Sequence, residues 1–120
     1  MWLEVRDAAY LWDMLSAARK VVASLQGLTL VDYAADEDLR LTVERRIEII
    51  GEAARRVSQE FRDKHPEIPW KSMMAQRNVL AHEYDEIDNE RIWQVAVERL
   101  PQLIKQLQPL LPHPPPETHC

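Results

Sequence analysis

The chain predicts an all-α fold, an antiparallel bundle of four to five helices, and three observations predict it. Apolar residues recur at spacings of three and four along most of the chain, the period of one helix face. Only two glycines occur in 120 residues, so long segments lack the punctuation that strands and hairpins need. Charged residues make up 29% of the chain and are mixed in sign, as on solvated helix faces. One domain is the expectation at this length, with residues 1–108 forming the bundle and residues 109–120 a tail.

The first helix is expected from Leu3 to Leu25. Leu11, Leu15, Ala18, Val22 and Leu25 make one apolar stripe, and Gly27 stands where a helix stop belongs. Leu28 to Asp38 reads as a connection with a short helical turn near its end, and Asp36 as the N-cap of the next helix. The second helix is expected from Glu37 to Lys64, on the stripe Leu39, Val43, Ile47, Ile50, Ala54, Val57 and Phe61. Gly51 interrupts it at a cost of roughly 1 kcal/mol relative to alanine, either tolerated or present to let another backbone come close. Pro66 disfavours helical geometry at His65, and Pro69 suits the start of a third helix, Trp70 to Tyr84. A loop to Asp88 leads to a fourth helix capped by Asp88 or Asn89. Its stripe is Trp93, Val97, Leu100, Ile104, Leu107 and Leu111, with Pro101 kinking it or loosening one turn. Five of the eight prolines fall in residues 109–120, which read as polyproline-like or disordered.

Composition removes several function classes. The only cysteine is Cys120, so no disulfide framework exists and the cytoplasm is the expected compartment. The N-terminus is charged early, unlike a signal peptide, and no apolar run is long enough to span a bilayer. There is no Walker loop, dinucleotide fingerprint or CxxC pair. His82-Glu83 lacks the second histidine of a zincin. Glu48 and Glu52 lack the histidines of a di-iron bundle, and read as a solvated or salt-bridged face near Arg56. His113, His119 and Cys120 could in principle hold a metal, but three ligands on a loose tail argue only weakly for one. No metal or other cofactor is expected.

The net charge of −5 is unusual for a nucleic-acid binder. The charge is uneven, however: between Arg40 and Arg77 nine Lys and Arg face six Asp and Glu. This basic middle can meet phosphates while the acidic remainder keeps the protein soluble, although solvated helix faces explain many of these arginines equally well.

The densest chemistry lies in Arg77-Asn78-Val79-Leu80-Ala81-His82-Glu83-Tyr84. On a helix, Asn78 and His82 stand one above the other, so the amide can fix the imidazole tautomer. The planar fork of Arg77 can reach a phosphate beside His82. Tyr84 points away from His82 in a continuous helix and reaches it only if the helix ends there. A lone helical histidine is more often a satisfied structural residue, but these neighbours favour RNA cleavage. Cleavage without a metal needs a base for the 2′-OH, an acid for the leaving 5′-oxygen and a cation for the phosphorane charge. His82 can be base or acid, and Arg77 the cation. One such histidine per chain suggests a two-fold dimer that brings two motifs to one cleft.

These residues resemble the Arg-x4-His-x-Tyr motif of the HEPN superfamily, specifically the HepT toxins of HEPN/minimal-nucleotidyltransferase toxin–antitoxin pairs. Ile47-Glu48-Ile49-Ile50-Gly51-Glu52-Ala53-Ala54-Arg55-Arg56 is similar to that family's long-helix signature. His65-Pro66-Glu67-Ile68-Pro69-Trp70 is similar to its inter-helix turn. The likeness covers about Leu11 to Leu107. It implies an all-α homodimer with a metal-independent endoribonuclease site at the subunit interface. It implies Arg77 and His82 as the catalytic pair, and Asn78 as their polar support. It also implies that a nucleotidyltransferase antitoxin transfers AMP to Tyr84, placing bulk and negative charge beside the site. Two other readings stand beside it. One is a non-catalytic helical partner that restrains the nucleotidyltransferase, which would still form the complex with Arg77→Ala and His82→Ala. The other is an RNA- or nucleotide-binding bundle without turnover, which would bind RNA and release no products.

Overall fold

The structure, a computed structural model, describes residues 5–75 and 88–111. Among the described residues every regular element is helical and none is a strand, as the periodicity predicts. Helix α1 spans Val5–Ser24 and buries Leu11, Met14, Leu15, Ala18 and Val21. Gly27 ends the turn after it with φ +77°, a left-handed geometry that costs a side-chain-bearing residue about 1–2 kcal/mol. Helix α2, Leu30–Ala35, is a short helix that fills the middle of the expected connection rather than its end. Its start is a reciprocal cap: Thr29 Oγ1 accepts from the Asp32 N–H at 3.2 Å, and the Asp32 carboxylate accepts from the Thr29 N–H at 2.9 Å. Asp36 caps the next helix, accepting from the Leu39 N–H at 3.1 Å.

The single helix predicted for Glu37 to Lys64 is two helices, α3 Glu37–Arg56 and α4 Gln59–Lys64. Val57 is extended, with φ −64° and ψ 139°, and Ser58 caps α4 by accepting from the Phe61 N–H at 3.2 Å. The reason for the break lies 51 residues upstream: Asp7, only 4% exposed, accepts from the Ser58 N–H at 2.9 Å and the Ser58 hydroxyl at 2.7 Å. The apolar stripe passes over the break because Val57 and Phe61 both still reach the core. Gly51 is buried within α3.

A turn at residues 65–69 leads into α5, helical over residues 70–75. Ile68 and Trp70 anchor it in the core. The Trp70 indole donates to the His65 carbonyl at 3.0 Å and meets Phe61 edge-on at 6.3 Å. The predicted remainder of this helix, to Tyr84, lies outside the described residues. Helix α6, Asn89–Gln94, opens on the expected cap, with Asp88 accepting from the Glu90 and Arg91 N–H groups at 3.0 and 3.3 Å.

A π-helical turn, Val95–Arg99, joins α6 to α7, Leu100–Leu107, and a 3₁₀ turn, Gln108–Leu110, closes the packed part. This is the loosened turn expected from Pro101. Proline has no N–H to give Val97, and its ring crowds that carbonyl. The backbone widens instead, with the Leu100 N–H reaching the Val95 carbonyl. The buried stripe here is Ile92, Ala96, Leu100, Leu103 and Leu107. The predicted stripe is therefore corrected at Trp93 and Ile104, which are only partly buried, and at Val97, which is 40% exposed. Both stripes have helical spacing, and periodicity alone does not say which of two adjacent stripes faces inward. Leu110 and Leu111 still pack against the core; residues 112–120, with most of the predicted tail, lie outside the described residues.

The core forms where α1 packs against α3 and α7. Leu11, Met14, Leu15, Val43, Ile47, Ile50, Leu103 and Leu107 belong to that one buried cluster. Each such side chain, fully buried, contributes about 1.5–3 kcal/mol relative to exposure.

Candidate functional site

The sequence-predicted site residues, Arg77, Asn78, His82 and Tyr84, all lie outside the described residues. The structure does show what holds the chain on either side of them. On the upstream side, Ile68 and Trp70 fix the start of α5, and Met73 and Met74 pack against the core. On the downstream side, Ile92 and Ala96 are buried, and Trp93 meets Tyr33 of α2 with ring centroids 5.7 Å apart. Both flanks of the motif segment are thus seated on one apolar core.

Two polar clamps join these flanks. Arg99 of the π-helical turn donates from Nη1 to Ser72 Oγ of α5 at 3.0 Å. Gln106 of α7 donates to the Glu67 carbonyl, in the turn before α5, at 2.8 Å. Beneath the first clamp a cavity of ≈ 30 Å³ lies between α3, α5 and the π-helical turn, bordered by Ile47, Met73 and Leu103. A third contact comes from α4, where the Arg62 guanidinium reaches Met74 Sδ at 3.8 Å and Gln59 Oε1 at 3.1 Å. Its buried Nε has no hydrogen-bond partner among the described residues. No ion pair among the described residues involves Arg62, Lys71 or Arg99.

The arginines of α3 differ from these. Arg45 pairs with Glu48 at 2.7 Å, and Arg55 and Arg56 both reach Glu52, at 3.1 and 3.2 Å. Together with Tyr10 and Asp13 of α1, Arg45, Arg56 and the two glutamates line a groove of ≈ 390 Å³. Glu48 and Glu52 are therefore the salt-bridged face that their spacing predicts. No group of three or more His, Cys, Asp or Glu able to hold a metal occurs among the described residues. His113, His119 and Cys120 lie outside them. No helix among the described residues is long and apolar enough to cross a membrane.

One buried polar group sits under the downstream flank. Tyr33 is fully buried and its hydroxyl has no hydrogen-bond partner among the described residues. Burial pushes its ionisation well above the ordinary phenol range, and the nearby Glu44 carboxylate adds to this. Burial likewise raises the Glu44 carboxyl, with Arg40 opposing. Both shifts favour neutral forms, so this corner supports Trp93 as packing. The roles of Asp7, Tyr33 and Arg99 leave no local signal in the sequence, because the partner that defines each is 51, 60 or 27 residues away.

Comparison with known proteins agrees with this architecture. A family model described as "Ribonuclease HepT-like" matches residues 14–110. A Methanocaldococcus jannaschii protein provisionally named as an RNase is 35% identical over 100 residues, covering 83% of this chain and 92% of that protein. A second, from Caldanaerobacter subterraneus subsp. tengcongensis and named in the same way, is 33% identical over 102 residues, covering 85% and 91%. A Thermococcus cleftensis protein provisionally named ribonuclease HepT is 33% identical over 94 residues, covering 78% and 86%. No solved structure gives a significant match. With most of its length matched by the family model and by relatives above 30% identity, this chain belongs to the HepT-like ribonuclease family.

Proposed function

We propose that the protein is the toxin of a toxin–antitoxin pair, a metal-independent endoribonuclease acting as a homodimer in the cytoplasm. The observation that carries the reading is the set Arg77, Asn78, His82 and Tyr84 at helical spacing within a HepT-like chain. The relatives' RNase names support the same reaction class. His82 takes the proton of an RNA 2′-OH, or delivers one to the departing 5′-oxygen. The 2′-oxygen attacks the adjacent phosphorus as the 5′-oxygen leaves, so the products are a 2′,3′-cyclic phosphate and a 5′-hydroxyl. Arg77 balances the charge that builds on the phosphorane. Asn78 holds the imidazole in one tautomer. The second proton-transfer group comes from the second copy of the motif across a two-fold interface.

The nucleotidyltransferase antitoxin silences the site through Tyr84. The phenol oxygen attacks the α-phosphorus of ATP, pyrophosphate leaves, and the tyrosine carries AMP. The new phosphodiester charge engages Arg77 and repels the RNA backbone.

Intact mass measures the modification directly, on protein produced with and without a candidate nucleotidyltransferase and ATP. Whole AMP increments that vanish in Tyr84→Phe are expected, together with loss of RNA cleavage in the modified protein. A stable complex with no increment would move the reading to restraint by binding alone, which the net charge of −5 favours as a second reading. Absence of cleavage by the intact dimer, with His82→Ala as toxic to cells as the parent, would sink the ribonuclease reading.

A further inference from the structure

The described part of helix α5 precedes Arg77 in the sequence by two residues, and its exposed face has an unusual surround. At about 100° per residue, Trp70, Met73 and Met74 point inward, while Lys71, Ser72 and Ala75 are exposed. Lys71 and Ala75 share one stripe, and Ser72 and Met74 mark its opposite edges. Arg99 sits at the Ser72 edge and Arg62 at the Met74 edge. The strip is therefore a lysine among small side chains, with a guanidinium on each flank.

Among the described residues none of the three cations pairs with a carboxylate. Among the described residues Arg62 donates to a thioether and an amide oxygen, and Arg99 to a hydroxyl. Neutral acceptors orient a guanidinium without cancelling it, whereas Arg45, Arg55 and Arg56 spend theirs on glutamates. Arg62 is half-buried, and among the described residues its Nε has no hydrogen-bond partner and its guanidinium no counter-charge. An incoming anion would offset the cost of burying such a cation.

We propose that the exposed face of α5, with Lys71 at its centre and Arg62 and Arg99 on its flanks, binds a single-stranded RNA backbone. The inference rests on the ribonuclease reading and deepens it by naming substrate-contacting residues outside the motif. The chemistry favours phosphate over a protein partner. A protein interface has an apolar centre, and none of the exposed large hydrophobic residues, Val5, Leu28, Val31, Leu41 and Val97, lies on α5. No exposed aromatic is on the described part of α5 to stack a base, so the contacts are to the backbone and independent of sequence.

Fluorescence anisotropy with a single-stranded RNA oligonucleotide tests this on the full chain carrying His82→Ala, which keeps the RNA intact. Each phosphate contact on a single strand contributes about 0.7 to the slope of log affinity against log salt. Arg62→Gln, Lys71→Gln and Arg99→Gln should each lower the slope by about 0.7, whereas Arg62→Lys and Arg99→Lys should keep it. Lys71 and Arg99 are exposed, so their variants read binding without unfolding the helix. The parent slope retained in Lys71→Gln and Arg99→Gln would overturn the inference and leave the strip to an acidic protein partner. No RNA binding by the parent protein, even at low salt, would overturn the ribonuclease reading itself and this inference with it.

Discussion

Asp7 is the one buried charged residue among those described, and its carboxylate accepts two hydrogen bonds from Ser58. The pair ties the first turn of α1 to the cap of α4, so it holds together segments distant in the chain. Hydrogen bonds to a charged group contribute about 1.5–3 kcal/mol, and removing the acceptor also strands the Ser58 N–H. Asp7→Ala is expected to lower the unfolding free energy by about 2–3 kcal/mol, read from urea denaturation. Asp7→Asn, which keeps an acceptor, should lose clearly less. An Asp7→Ala protein as stable as the parent would mean that water replaces the carboxylate at no cost.

Among the elements, boundaries are set by backbone chemistry that is partly local. Asp36 and Asp88 cap where side-chain type predicts a start, and Thr29 with Asp32 adds a reciprocal cap at α2. Gly27 ends the turn after α1 with positive φ and no heavy atom within 4 Å of an added Cβ. Gly27→Ala therefore isolates the cost of the left-handed backbone, and should destabilise by about 1 kcal/mol without altering packing. Thermal unfolding of the two proteins side by side measures it. A larger loss would mean that the turn itself rearranges. The π-helical turn before Pro101 is the counterpart at the other end of the chain: a missing N–H forces a wider turn, and the widened turn carries Arg99, which reaches Ser72.

For the molecule as a whole, the decisive question is whether the reacting groups come from one subunit or two. Each chain has a single His82, while the reaction needs both a base and an acid. If two motif copies share one cleft and each supplies one proton-transfer group, parent chains exchanged into mixed dimers with His82→Ala chains should lose RNA cleavage, because each mixed dimer keeps only one histidine. Mixed dimers, shown by mass, that keep about half of the parent's cleavage would place a complete site within one subunit.

The helical class, the capped starts of α3 and α6 and the proposed reactive segment are read from the order of residues alone. Those properties are local: apolar spacing, capping side chains and a run of eight residues from Arg77 to Tyr84. Three others are not. The long stripe from Leu39 to Phe61 conceals a break, because burial of Val57 and Phe61 is the same whether or not the helix is continuous. Leu100 and Leu107 face inward as expected, but before them the inward face falls on Ile92 and Ala96 rather than on Trp93 and Val97, which have the same spacing. The clamps Asp7–Ser58, Arg99–Ser72 and Gln106–Glu67 join residues 51, 27 and 39 positions apart. Such pairs are settled by packing, because a hydrogen bond depends on where the folded core delivers two side chains and leaves no periodic trace in the chain.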